Sequence, residues 1–231
     1  MATAVTEAIT SLATAEQQFA LQRIEAATFF PEWRENLPSL MTADRSALQD
    51  LRRRYLYQRS QGQLLEGVVT LLVASPLLML AGFYDPPFQV RTEAAIRIQV
   101  ADQREALQGR IDLLVLHDQV WVVVLESKQT MLSVWTALPQ TLAYLMANGT
   151  QKLPRFAMLT NGDEIMFVKV QNCTPDEAIG STAQSMTTEA SQNNQPQPSY
   201  YDVSRIFALY TATQELEVVL QILRGIGAAF T

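Results

Sequence analysis

The sequence predicts a single mixed α/β domain in which a mixed β-sheet is flanked by helices. Three observations predict it. Apolar residues recur at helical spacing over 47–57 and 61–80. Two runs, Ile111–Leu116 and Val120–Leu125, are nearly continuous in Val, Leu and Ile, as strands covered on both faces are. Helical and strand patterns then alternate to the end of the chain. With 231 residues, 48% hydrophobic and 17% charged, the chain can build a full core, which excludes wholesale disorder. That length suits one substantial domain, or one domain with an appendage.

The elements follow in order. Residues 1–50 read as a helical extension: Thr6 to Phe30 is rich in Ala, Gln, Glu and Leu until Pro31 breaks it. After the helices at 47–57 and 61–80, Gly82 gives a stop and Asp85-Pro86-Pro87 a turn. From Phe88, Val90 to Val100 alternate with Arg91, Glu93, Arg97 and Gln99, the pattern of a half-buried strand. The two apolar strands are joined through His117-Asp118-Gln119, and a helix is expected over 138–147 with Pro139 in its first turn. Phe156–Thr160 and Ile165–Val170 flank Asn161-Gly162, a strong hairpin signal. The core thus spans 51–170. Residues 171–200, rich in Gln, Asn, Ser, Thr and Pro, read as a mobile polar loop, and 201–231 as a C-terminal amphipathic helix over Val203–Leu223. No repeat of 20–50 residues is visible.

Composition removes several function classes. Net charge is −6, yet residues 51–155 carry +3 and the remainder −9, so a modestly basic middle permits a local anionic ligand. The single cysteine, Cys173, cannot close an internal disulfide, and a reducing, cytoplasmic setting is the expectation. Met1 to Gln18 lacks the basic start and apolar run of a secretory leader. Val68 to Phe83, interrupted by Ser75-Pro76, falls short of the roughly 20 residues that span a bilayer. With His117 as the only histidine, a His-based zinc site is excluded, and one cysteine makes no zinc ribbon. Neither G-x-G-x-x-G nor G-x-x-x-x-G-K-[ST] nor G-x-S-x-G occurs, which leaves dinucleotide binding, a built-in ATPase and a serine hydrolase elbow unsupported.

The informative oddity is charge at the end of a buried strand. Trp121 to Leu125 runs straight into Glu126-Ser127-Lys128, and the preceding strand carries Asp112. Alternation puts Glu126 and Lys128 on one face. Register decides whether Asp112 joins them. A three-residue loop allows it, a two-residue loop puts Asp112 on the other face, and a compensating bulge restores it. Two carboxylates against an apolar sheet repel one another and are costly to desolvate. A hard divalent cation resolves both problems: Mg²⁺ takes carboxylate oxygens, keeps water, and leaves positions for phosphate oxygens. Such a metal lowers the pKa of bound water and neutralises charge in a phosphodiester transition state, while Lys128 could orient the attacking water or stabilise developing negative charge.

On these residues the chain resembles a known family. Gly109-Arg110-Ile111-Asp112 followed by Glu126-Ser127-Lys128 is similar to the PD-(D/E)XK nuclease motif, and more narrowly to the N-terminal nuclease domain of type I restriction enzyme R subunits. A helix bearing Glu66, the stretch Pro76-Leu77-Leu78 with Ala81-Gly82-Phe83, Arg91-Thr92-Glu93, and Leu159-Thr160-Asn161-Gly162 extend the likeness, which covers roughly 55–170. Gln140 and Tyr144 resemble the QxxxY element of RecB-like members. The resemblance implies a restriction-endonuclease-like core. Asp112, Glu126 and Glu66 would be the metal ligands, Lys128 the catalytic lysine and Gln140 a residue lining the site. Two departures stand: position 111 is Ile where the named motif has proline, and an R subunit would continue into a motor, so ATP-driven restriction is not carried over.

The expected activity is therefore that of a metal-dependent DNA endonuclease using Mg²⁺, with Mn²⁺ able to substitute. DNA is the expected partner, a homodimer is allowed, and neither a membrane nor a nucleotide cofactor is expected. The alternative is a catalytically inactive module that keeps the nuclease fold and binds DNA or a partner protein. Blander readings compete at particular residues. Glu66 is also what a solvated helix face carries, and Gln140 can satisfy local backbone groups. Arg52-Arg53-Arg54 reads better as a solvated face, one arginine paired to Asp50 or Glu66, than as a phosphate clamp. His117 reads as an exposed loop residue, and Met131, Met146, Met158 and Met166 as core fillers.

Overall fold

A computed structural model describes residues 3–99, 106–117, 120–127, 129–147, 153–179 and 198–230. The N-terminal segment is only partly helical. It contains β1 (Thr3–Ala4), α1 (Val5–Ala8), α2 (Leu12–Phe19) and β2 (Leu21–Arg23). The expected helix over Thr6–Phe30 is broken by local chemistry: Ser11 Oγ caps α2 by accepting from the Thr14 N–H, and Ala20, at φ 49°, ends it. A 3₁₀ turn follows at Pro31–Trp33, then the long helix α3 (Thr42–Ser60). Helix α4 (Glu66–Val69) passes through a π turn (Thr70–Ala74) into α5 (Ser75–Ala81), which Gly82 ends. Pro76 explains the π turn, because it has no N–H and crowds the carbonyl four residues back, so the turn ahead of it widens.

The sheet strands are β3 (Phe88–Gln99), β4 (Ala106–His117) and β5 (Val120–Ser127); α6 (Leu138–Met146), preceded by a 3₁₀ turn at Val134–Ala137, crosses over to β6 (Arg155–Thr160). β7 (Glu164–Asn172), α7 (Pro175–Ile179), β8 (Ser199–Val203), β9 (Phe207–Ala208) and α8 (Thr213–Ala228) complete the described chain. Among the described residues the strands form one sheet in the order β1-β4-β5-β6-β7-β8-β2, with β3 also on β4 and β9 on β7. It is a mixed sheet: β5/β6, β1/β4 and β2/β8 run parallel and the rest antiparallel. Helices cover both faces. One core unites α3, α5 and α8 with Leu113, Val115, Phe156 and Phe167, and the other unites α1, α2 and α6 with Ile111, Leu114, Leu159 and Val168.

The β3–β4 ribbon turns over along its length. Phe88 and Val90 pack with the first core, whereas Ala94, Ile96 and Ile98 pack with the second, although even-numbered residues of one regular strand share a face. The changeover falls at Glu93, which holds φ 50° between the pairs Thr92↔Leu113 and Ala94↔Ile111 and hence across from Asp112.

Several expectations are corrected. The segment 171–200 is not all loop: β7 runs to Asn172, α7 is helical and β8 starts at Ser199, while residues 180–197 lie outside the described residues. The C-terminal helix starts at Thr213, because Val203 and Phe207 belong to strands. His117 is half-buried at the end of β4, its ring 5.9 Å from that of its cross-strand neighbour Phe88. Met158 and Met166 fill the core as expected, but Met131 is 70% exposed. No helix among the described residues is long and apolar enough to cross a membrane.

Candidate active site

The β4–β5 hairpin sets the positions of the two expected carboxylates. His117 pairs with Val120, so the loop has two residues, the case that would send Asp112 to the wrong face. A bulge between Val115 and Leu116 then shifts the register, and beyond it Leu114 pairs with Val124 and Leu113 with Leu125. The pairing ends there; the same register continued by one step would set position 126 across from Asp112. The bulge thus gives Leu113 and Leu114 the pairing parity that a three-residue loop would have given them. Lys128 lies outside the described residues, and Glu126 is placed by its backbone.

The same region of β4 changes neighbours. β5 pairs with its C-terminal half, while β1 pairs in parallel with Leu107 and Gln108, so the edge between them is left open beside Gly109–Asp112. There a pocket of about 390 Å³ opens, lined by Glu66, Arg110, Asp112, Gln140 and Tyr144, with Ala4–Thr6 forming one wall. Four chain segments distant in sequence thus meet at one cavity. Glu66, Asp112 and Gln140, three of the expected site residues, are among them.

Each side chain has a structural reason to be there. Glu66 opens α4, and the chain just ahead of that helix is stapled to the chain just after β5. Thr130 N–H donates to the Leu64 carbonyl at 3.2 Å, Leu64 N–H donates to Thr130 Oγ1 at 3.2 Å, and the Gln63 amide donates to Gln129 Oε1 at 2.6 Å. Gln140 and Tyr144 are one helical turn apart on α6, and the Gln140 amide donates to the Tyr144 hydroxyl. The buried Tyr144 ring lies over Gly109. A Cβ at that glycine would sit 2.6 Å from the ring and 3.1 Å from Val5, so only glycine lets ring and strand approach this closely. Across the ribbon, exposed Arg110 and Glu93 form an ion pair at 3.5 Å.

The donor set suits a hard cation. Glu66 and Asp112 offer carboxylate oxygens and Gln140 an amide oxygen, the chemistry of Mg²⁺ or Mn²⁺ rather than zinc. Among the described residues no group of three or more His, Cys, Asp or Glu side chains stands ready as a metal cage. The pocket is open, and its two carboxylates fit a metal held by few protein ligands with water completing the shell.

The arginine run lies elsewhere and is engaged. Arg53 and Arg54 both reach Asp50, at 3.1 and 3.4 Å, and Arg52 donates to the carbonyls of Leu209 and Tyr210 at 2.7 and 2.6 Å. Glu66 takes no part in these pairs. The Asn161-Gly162 turn docks α3 onto the sheet. Tyr55 Oη donates to Asp163 at 2.7 Å, Arg59 pairs with Asp163 at 3.1 Å, and Gly162, at φ 89°, leaves no room for a Cβ beneath Tyr55. Burial and the Asp163 carboxylate push the Tyr55 hydroxyl pKa well above its ordinary value.

Sequence reasoning missed the N-terminal wall, because a two-residue strand carries no periodicity to read. Compared with protein-family models and with curated sequences, the chain matches neither a family model nor a curated relative.

Proposed function

We propose that the chain is a metal-dependent endonuclease that hydrolyses phosphodiester bonds of DNA at the pocket between β4, α4 and α6. The observation that carries this reading is the convergence of Glu66, Asp112, Gln140 and Tyr144 on one open cavity. Asp112, Glu126 and Glu66 would hold Mg²⁺ or Mn²⁺. When bound, the cation supplies Lewis acidity toward a phosphoryl oxygen and a water of lowered pKa.

The chain's own residues do the rest. Asp112 and Glu126 belong to strands β4 and β5 rather than to a loop, which limits reorganisation when charge develops. Gln140, held by the Tyr144 hydroxyl, presents amide donor and acceptor groups to the pocket. Arg110, exposed at the rim, can meet a flanking phosphate. Lys128 takes the role of stabilising negative charge on the attacked phosphate or orienting the water. The pI of about 4.9 fits an enzyme that engages DNA through a local site rather than one that coats it.

The test is a cleavage panel on supercoiled, linear and single-stranded DNA with Mg²⁺, Mn²⁺ or chelator. The expected outcome is metal-dependent cutting that Asp112→Asn lowers by at least ~100-fold, the scale of losing one preorganised charged group. Equal cutting by the two proteins would sink the assignment. Equal DNA binding in metal and chelator, with no cutting, would instead identify a non-catalytic module.

A further inference from the structure

Strand β3 leaves one side of the sheet open. It is 12 residues long, and among the described residues it is hydrogen-bonded to β4 alone, so its outer edge has no strand partner there. Native sheets protect such an edge with short strands, lysine or proline. Phe88–Gln99 contains neither of those residues, and its exposed charges are of both signs: Arg91, Glu93 and Arg97. On the opposite face Ala94 and Ile96 pack against the second core yet stay only half-buried.

The order of the charges decides which strand fits this edge. Side chains alternate between faces, so two copies related by a two-fold axis set one residue opposite its own copy and pair the residues equally far on either side. An axis at Glu93 or Arg97 sets like charge against like. At Ala94 it opposes Arg91 to Arg97, and at Ile96 it opposes Glu93 to Gln99 with no ion pair. At Thr92 it opposes Arg91 to Glu93, but the centre of that ladder runs through Glu93, where φ of 50° interrupts the strand. An axis at Ala95 satisfies every position. Glu93 meets Arg97 at both ends of the ladder, the small exposed Ala95 meets itself between them, and Ala94 meets Ile96 on the apolar face.

We infer that the outer edge of β3 pairs antiparallel with the same edge of a second copy of this chain, about a two-fold axis at Ala95, so that two sheets become one. Opposite charges directly across a strand pair stabilise it, and like charges destabilise it. The pairing also reaches the proposed pocket. Arg110, which lines that pocket, is the β4 partner of Ala95 and holds the Glu93 carboxylate at 3.5 Å. Arg97 of the second copy takes up this carboxylate and releases the Arg110 guanidinium towards a phosphate. That consequence rests on the nuclease reading; the edge pairing does not.

The experiment is analytical ultracentrifugation of the whole chain without DNA or metal. The samples are the parent, Glu93→Arg, Arg97→Glu, and an equimolar mixture of the two variants. The parent is expected to form a reversible dimer. Each single reversal puts like charges opposite each other at both ends of the ladder, and should weaken the dimer at least about tenfold. Mixing the two variants should restore it as a heterodimer, because their facing positions then carry opposite charges. Loss of a monomer's own contacts cannot produce that rescue. Ala95→Glu, an exposed change that sets a charge against its own copy at the axis, should weaken the dimer too; it reads the same edge if a reversal at either charged position fails to fold. A parent that stays monomeric up to about 0.1 mM would overturn the inference and leave the edge to a strand of another protein. A dimer insensitive to all three substitutions would overturn it, as would folded single variants that stay apart when mixed. None of these readouts depends on cleavage, so a failed nuclease assay and a failed edge pairing are told apart.

Discussion

Asp112 sits where a single strand has neighbours on one side only, between the end of β5 and the short β1. Gly109, three residues back, decides whether α6 can come close enough to serve the same pocket. Gly109→Ala would drive a methyl into the Tyr144 ring and Val5 Cγ2. Overpacking of this kind costs about 1–3 kcal/mol. Denaturant unfolding should show a lower midpoint with an unchanged slope, and cutting should fall with it as Gln140 loses its fixed partner. A variant as stable and as active as the parent would mean that the ring is free to move aside. Asp112 itself is legible in sequence because a carboxylate inside an apolar strand is conspicuous. Glu66, on an exposed helix start, looks like any solvated acid, and the staple to Gln129 and Thr130 that aims its helix leaves no pattern in the chain.

At the scale of elements, α3 is held at both ends by charge. Asp44 accepts from Arg224 of α8 at 2.8 Å through each carboxylate oxygen and from the Met41 N–H at 2.9 Å. The Arg224 guanidinium is the largest influence on it, and together with the Met41 N–H it holds the carboxyl below its ordinary 3.8 despite the opposing effect of burial. A depressed folded pKa means that the unfolded chain binds more protons. The contribution is therefore complete above 3.8 and lost as pH falls through the lower folded value. Asp44→Asn should cost about 2–3 kcal/mol at neutral pH, the scale of a hydrogen bond to a charged group. Urea midpoints of parent and variant should converge as pH falls below 3.8, and a gap that stays constant would refute the linkage. On the exposed side of α3, Arg53→Ala with Arg54→Ala should change stability by less than about 1 kcal/mol, since exposed pairs contribute little. It should also leave DNA affinity unchanged, because these arginines face Asp50 rather than the pocket; a clear loss in a binding titration would make the run a phosphate clamp after all.

For the whole molecule, the apolar runs and the Asn161-Gly162 turn made the centre of the sheet readable, since strands covered on both faces leave a compositional trace. The margins were not readable. β1 and β2 add strands to β4 and β8 from a segment rich in helix formers, where tertiary pairing overrides propensity. The turnover of the β3–β4 ribbon at Glu93 is equally silent, because alternation continues unbroken through it while the packed face changes. Register was legible only as a conditional on loop length or a bulge, and the structure has a two-residue loop with a bulge at Val115/Leu116.

The central claim is that the pocket lined by Glu66 and Asp112 holds a divalent cation for phosphodiester hydrolysis. Titration with Mn²⁺, followed by the electron paramagnetic resonance signal of the free ion, tests it without requiring the right DNA substrate. The account predicts saturable binding by the parent chain, weakened at least tenfold by Asp112→Asn in a protein that keeps its melting temperature. No binding by the parent, or equal binding by the two, would contradict it.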